Sequence, residues 1–152
     1  MARQFRVSPN RITIEQTEEF DVIIVISGSR IYNDYDEFSV MTRDYLDLEM
    51  FDGKTICFVT GEAQDGPDDM IITLCDELEL PFYGMPADWN QYGKRAGFMR
   101  NIDMAAISTH LLAFWADKSK GTGHMIEVCE KIKLHVTPII VDSDATRKRL
   151  NS

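Results

Sequence analysis

The chain has 152 residues, of which 44% are hydrophobic and 27% charged. That balance excludes a disordered chain, a collagen-like repeat and a disulfide miniprotein, and fits one domain with a buried core. Sixteen basic against 25 acidic residues leave a net charge of −9, which disfavours nucleic acid as a partner, because phosphate chains are held by broad cationic surfaces. No apolar run approaches the ~20 residues of a membrane helix, and no apolar segment follows the basic N-terminus, so neither a membrane partner nor a secretory signal is expected. Cys57, Cys75 and Cys129 sit in apolar surroundings without metal-ligand spacing and read as buried thiols of a reducing cytoplasm.

The first 19 residues read as an N-terminal extension, with an edge strand expected at Arg11 to Glu15. The domain proper spans 20–142. Asp21 to Ile26 is a continuous β-branched run, the pattern of a strand buried on both faces. A helix is expected from about Asp34 to Phe51, with Asp34 and Glu37 spaced as a capping box and Phe38, Met41, Tyr45 and Leu48 as its apolar stripe. Thr55 to Thr60 is a second strand. Gly66-Pro67 opens a second helix, proline being suited to a first helical position. Pro81 to Met85 is a short third strand, and Pro86 to Gly97 a long polar loop before a helix at Phe98 to Ile107. Leu111 to Trp115 is a fourth strand. Gly121 to Lys133 is a helix with Met125, Val128, Cys129 and Ile132 inward, and Val136 to Val141 is a fifth strand. Residues 143–152 form a charged tail expected to fray. Alternation of strand and helix predicts an α/β fold: a Rossmann-like, doubly wound, mainly parallel five-stranded sheet with helices on both faces.

Ligands of such sheets bind beyond the carboxyl ends of the strands, and the unusual residues gather in those loops. Ser119, Gly121, Thr122 and Gly123 open a helix after strand four and suit a phosphate, with Gly28, Ser29 and Arg30 after strand one beside them. Read without their position, the same residues are a glycine-rich helix start. Glu62 and Asp65 after strand two suit ribose hydroxyls or acid–base work, whereas Asp68 and Asp69 are explained by the helix dipole alone. In the third loop Trp89 and Tyr92 suit stacking on a base, and Lys94, Arg95 and Arg100 suit phosphate. The three histidines have no metal-ligand spacing.

The series Gly28-Ser29-Arg30, Thr60-Gly61-Glu62-Ala63-Gln64-Asp65-Gly66-Pro67-Asp68, Pro86-Ala87-Asp88-Trp89, Gly93-Lys94-Arg95-Ala96-Gly97 with Arg100-Asn101, and Ser119-Lys120-Gly121-Thr122 resembles the SLOG superfamily. Within it the likeness is to the small YspA/YpsA-like proteins of bacteria and phages. It covers about Val22 to Val141. The superfamily includes the Lonely Guy phosphoribohydrolases and the DprA proteins, so the resemblance implies a nucleotide or ribose-phosphate ligand; no cofactor and no metal are expected. The homodimers common among related proteins extend that expectation to this chain. Arg100 matches the arginine of the hydrolase branch, but the position of its glutamate is Met125, and the first two glycines of that motif are Ser119 and Lys120. Cleavage of an N-glycosidic bond would therefore need another carboxylate, from Glu62, Asp65 or Asp88. The expected site places phosphate on Ser119 to Gly123 and Gly28 to Arg30, ribose against Asp65 and Asp88, and the base under Trp89, with Gly61, Ala63 and Asn101 in the walls. A nucleotide-signal sensor without turnover is the alternative, and a protein-interaction domain with a vestigial pocket a second one.

Overall fold

In the computed structural model, which describes residues 6–151 apart from the side chains of Trp89 and Lys94, five strands form one parallel sheet. They are β1 (Val22–Gly28), β2 (Ile56–Thr60), β3 (Phe82–Gly84), β4 (His110–Trp115) and β5 (His135–Ile140), in the order β3-β2-β1-β4-β5. The central strand β1 is apolar throughout because both of its faces are covered. Val22, Ile24 and Ile26 join a core with α2 (Tyr35–Leu46) and α3 (Pro67–Leu78), whereas Ile23 and Val25 join a second core with α5 (Ala96–Ile107) and α6 (Lys120–Lys131). The architecture is thus Rossmann-like and doubly wound. Strand order reverses between β1 and β4, whose register pairs Ser27 with Ala113 and Gly28 with Phe114.

Local chemistry sets most boundaries. Asp34 caps α2 through its carboxylate on the Glu37 amide (3.1 Å), but Glu37 does not return the bond. Its carboxylate accepts instead from Tyr32 (3.0 Å) and Arg147 (2.8 Å). The expected helix to Phe51 stops at Leu46, and Glu49–Phe51 is a separate 3₁₀ turn. Ile132, expected inward, is 51% exposed, because α6 ends at Lys131 and the buried stripe is Met125, Ile126 and Cys129.

Three further expectations are corrected. Arg11 to Glu15 is not an edge strand: Arg11 makes one parallel bridge to Phe82, and Ile14–Thr17 (α1) coils into a helical turn closed by a Thr13–Gln16 capping box. The long third loop contains α4 (Trp89–Tyr92) and a 3₁₀ turn at Gly93–Arg95. The charged tail is helical over Asp144–Leu150 (α7), capped by Ser143 and docked by Arg147 on Asp34 (2.9 Å) and Glu37 (2.8 Å). Among the described residues no helix is long and apolar enough to cross a membrane. All three cysteines are buried, which pushes the thiols of Cys57 and Cys129 up to about 12.

At the sheet end away from the reversal loops, His110 and His135 are cross-strand partners with ring centroids 5.2 Å apart, and Phe51 lies 5.1 Å from His110. Burial, reinforced by the His135 charge, lowers the His110 pKa from its ordinary 6.5. The folded state therefore binds fewer protons than the unfolded chain in mild acid. The resulting stability is complete above about pH 6.5 and is lost as pH falls through the lowered folded value. Thermal melts of His110→Asn should show a flatter decline than the wild type between about pH 7 and about pH 5. Parallel profiles would refute the assignment.

Candidate functional site

The loops that follow β1, β2, β3 and β4 converge on one crevice of about 1090 Å³ at the carboxyl edge of the sheet. This is the place the reversal of strand order dictates, since neighbouring connections leave on opposite faces there. The loop after β1 contributes Gly28, Ser29, Arg30 and Ile31, and that after β2 contributes Gly61, Glu62, Ala63, Gln64 and the first-turn residue Asp68. Asp88 and Asn90 come from the segment after β3, Arg100 and Asn101 from α5, and Ser119, Gly121 and Thr122 from the start of α6.

The floor is a knot of hydroxyls that ties β1 to β4. Ser29 Oγ lies within hydrogen-bond distance of the Ala116 amide (2.9 Å), the Ala116 carbonyl (3.0 Å) and Ser119 Oγ (2.6 Å). Ser119 Oγ in turn donates to Thr122 Oγ1 (3.0 Å). Ser119 is the N-cap residue of α6, yet its side chain makes no bond to the helix amides. The amides of Lys120, Gly121 and Thr122 have no acceptor inside the helix, as first-turn amides do not. The dipole end and these donors give the crevice wall a positive character.

Arg100 lines the crevice from α5. Its Nη1 donates to the Gly61 carbonyl (3.1 Å), and its buried Nε has no partner. The guanidinium lies so close to Gly61 that a Cβ there would fall 2.7–2.8 Å from its Cζ, Nε and Nη1. Glycine at 61 is what lets the arginine lie flat against β2. Gly28 answers a second close approach: a Cβ would collide with the Pro67 ring and stand 2.9 Å from the Phe114 carbonyl. Neither neighbour is a flexible chain end. Gly28→Ala should therefore destabilise the fold by about 1–3 kcal/mol, the usual cost of overpacking, and chemical denaturation will measure it.

Among the described residues, the non-glycine residues with positive φ fall into two groups. Glu79 and Lys133 end helices α3 and α6, a common use of that conformation. Glu62 (54°), Asp117 (51°) and Lys118 (51°) lie instead in the crevice loops after β2 and β4. Backbone strain of this kind, about 1–3 kcal/mol per residue, persists where surrounding structure enforces it and clusters at binding sites.

No family model, curated protein or solved structure matches this chain. The site therefore rests on its own geometry.

That geometry divides the residues expected from sequence. Gly28, Ser29, Arg30, Gly61, Glu62, Ala63, Asp88, Arg100, Asn101, Ser119, Gly121 and Thr122 all reach the crevice. Asp65 is not in its wall; its side chain is 62% exposed and pairs with Arg30 at 3.8 Å. Gly123 lies behind the wall, where its missing side chain admits the Trp115 ring at 3.2 Å from a built Cβ. The Trp89 and Lys94 side chains, proposed for base and phosphate, lie outside the described residues. Glu62 is in the wall, but its carboxylate turns toward the N-terminal segment. Arg11 donates to Oε1 at 2.6 Å while resting on the Phe82 ring (4.9 Å), and the buried Oε2 has no partner. Asp88 Oδ1 accepts from the Gln91 amide (3.0 Å), which fixes the start of α4.

Sequence reasoning missed Asp68 and Phe98. Asp68 is buried in the wall, with Oδ2 accepting from the Ala63 amide (3.2 Å), a role its first-turn position concealed. Phe98 lies in the first turn of α5, where aromatic character alone was too weak a signal. Among the described residues no three His, Cys, Asp or Glu side chains gather closely enough to hold a metal ion.

Proposed function

We propose that the crevice binds a phosphorylated ribose, the sugar-phosphate part of a nucleotide, and that the chain is a SLOG-type binding module. The observation that carries this reading is the first turn of α6. Its N-cap serine turns its hydroxyl to Ser29 and Thr122 rather than to the helix amides, so the first-turn amides, with Gly121 and Thr122 in the crevice lining, keep no acceptor in the helix. Thr122 Oγ1 accepts from Ser119 and keeps its own proton to donate. Arg100 supplies the full charge from the same lining, with one guanidinium nitrogen already anchored on Gly61 and Nε unpaired. Asp88, Gln64 and Asn90 offer acceptors and donors for sugar hydroxyls. The five motifs that resemble the superfamily contribute to the walls of this one crevice.

Cleavage of the N-glycosidic bond is the second reading. It needs a carboxylate to assist water at the anomeric carbon while the base leaves with a proton. Met125 is fully buried in the core, Glu62 is held by Arg11, and Asp65 stands outside the wall. Asp68 is buried and bound to the Ala63 amide, so Asp88 is the carboxylate left for the hydrolase reading, and the geometry favours binding without turnover.

Equilibrium dialysis against a mixture of nucleosides, nucleoside monophosphates and ribose 5-phosphate tests both, with each chamber read by liquid chromatography and mass spectrometry. Phosphorylated compounds should be enriched intact on the protein side and nucleosides should not. Equal concentrations across the membrane would overturn the binding reading. Free base with ribose phosphate would establish the hydrolase instead, and Asp88→Asn should then stop it.

A further inference from the structure

We propose that Phe98 is the platform on which a planar aromatic group of the ligand, a nucleobase, stacks. This assignment rests on the ribose-phosphate reading of the crevice and adds the group at the other end of the sugar. Phe98 is 46% exposed and lines the crevice, the one aromatic side chain to do so among the described residues. Its position on α5 makes that exposure informative. Seven residues, or two turns, separate it from Ala105, which points the same way and is fully buried against the sheet. Phe98 thus leaves an apolar ring exposed at the crevice on the inward side of the helix.

The ring is held for this task. The His124 ring meets it edge to face at 4.5 Å between centroids and 65° between planes, which helps to fix its orientation. His124 is fixed in turn by Asn101, whose Nδ2 lies 3.2 Å from His124 Nδ1 and donates to the Gly121 carbonyl at 3.4 Å. Phe98 therefore packs beside the start of α6, against a residue two positions after Thr122. Ile31, Pro86 and Ala87 give the rest of the crevice the apolar surface a base requires.

The test compares two ligands that differ by the base. AMP and ribose 5-phosphate are titrated calorimetrically into the wild type, Phe98→Ala and Phe98→Tyr. In Phe98→Ala the AMP affinity should fall roughly 10- to 100-fold, the range carried by base–aromatic stacking, with ribose 5-phosphate affinity unchanged. Phe98→Tyr keeps an aromatic face and should restore AMP binding to within a few-fold of wild type. An equal loss for both ligands, or no loss of AMP binding, would overturn the assignment of Phe98 and leave the phosphate site standing. Failure of the wild type to bind either compound would overturn the crevice reading and this inference with it.

Discussion

Replacing Arg100 by alanine is expected to weaken ribose 5-phosphate binding by about 10- to 100-fold, which is the value of a charged hydrogen bond of ~1.5–3 kcal/mol. The fold should be little affected. Arg100 gives the protein one bond, to the Gly61 carbonyl, and that carbonyl borders an open crevice where water can replace the guanidinium. Arg100→Lys keeps the charge but loses the planar fork and the contact along Gly61, so its loss should be smaller than that of alanine yet measurable. Calorimetric titration gives the affinities, and thermal melts report the fold. Wild-type affinity in Arg100→Ala would remove the arginine from the site.

The largest effect on stability is expected at Phe114. Its ring is fully buried, stacks on Tyr32 at 5.8 Å and 10°, and meets Phe38 at 4.8 Å and 47°. These three rings fill the space between β4 and the loop that enters α2. Phe114→Ala should cost about 3–5 kcal/mol, the lost transfer energy together with the cavity. For a chain of this size that lowers Tm by roughly 6–20 °C. The Phe114 carbonyl also accepts from the Ser29 amide (3.1 Å), so relaxation around the cavity should reach the crevice floor and weaken ligand binding as well. Chemical denaturation with unchanged m value measures the first effect. A loss below about 1 kcal/mol would contradict the packing described.

The parts of the molecule that could be read from sequence are those whose cause is local. Val22 to Ile26 announces a doubly covered strand because burial on both faces removes the polar alternation. Asp34 and Gly66-Pro67 mark helix starts because capping depends on neighbouring residues. The crevice loops followed from the same reasoning, since ligands of such sheets bind beyond the strand ends whatever the side chains are. What escaped depends on pairs far apart in the chain. Arg11 and Glu62 are 51 positions apart and meet because Ile12 donates to the Phe82 carbonyl (2.8 Å) and Phe82 to the Asn10 carbonyl (3.0 Å), laying the N-terminal segment along β3. Arg6 adds a hold on α3 through Asp69 (3.1 Å) and Thr73 (3.0 Å). No period in the sequence encodes that docking, so Glu62 read as an available carboxylate.

The tail misled for a similar reason. Its charges suggest fraying, but Arg147 finds Asp34 and Glu37 on α2, and Asp144 accepts from the Asn33 amide (2.8 Å) and side chain (2.9 Å). Asn33 Oδ1 also accepts from the Gly66 amide (2.7 Å). One asparagine thus joins the C-terminal helix to two crevice loops, a contact visible only in three dimensions.

The central claim is that the open amides at the start of α6 receive the phosphate of a phosphorylated sugar. The most direct measurement is a titration of the isotopically labelled protein with ribose 5-phosphate, following backbone amides by NMR. The amides of Lys120, Gly121 and Thr122 should shift in a saturable way, joined by those of the Gly28 to Arg30 loop. Signals at these positions that stay fixed while ribose 5-phosphate is raised to saturation of any other cluster, or to millimolar excess without response, would contradict the account.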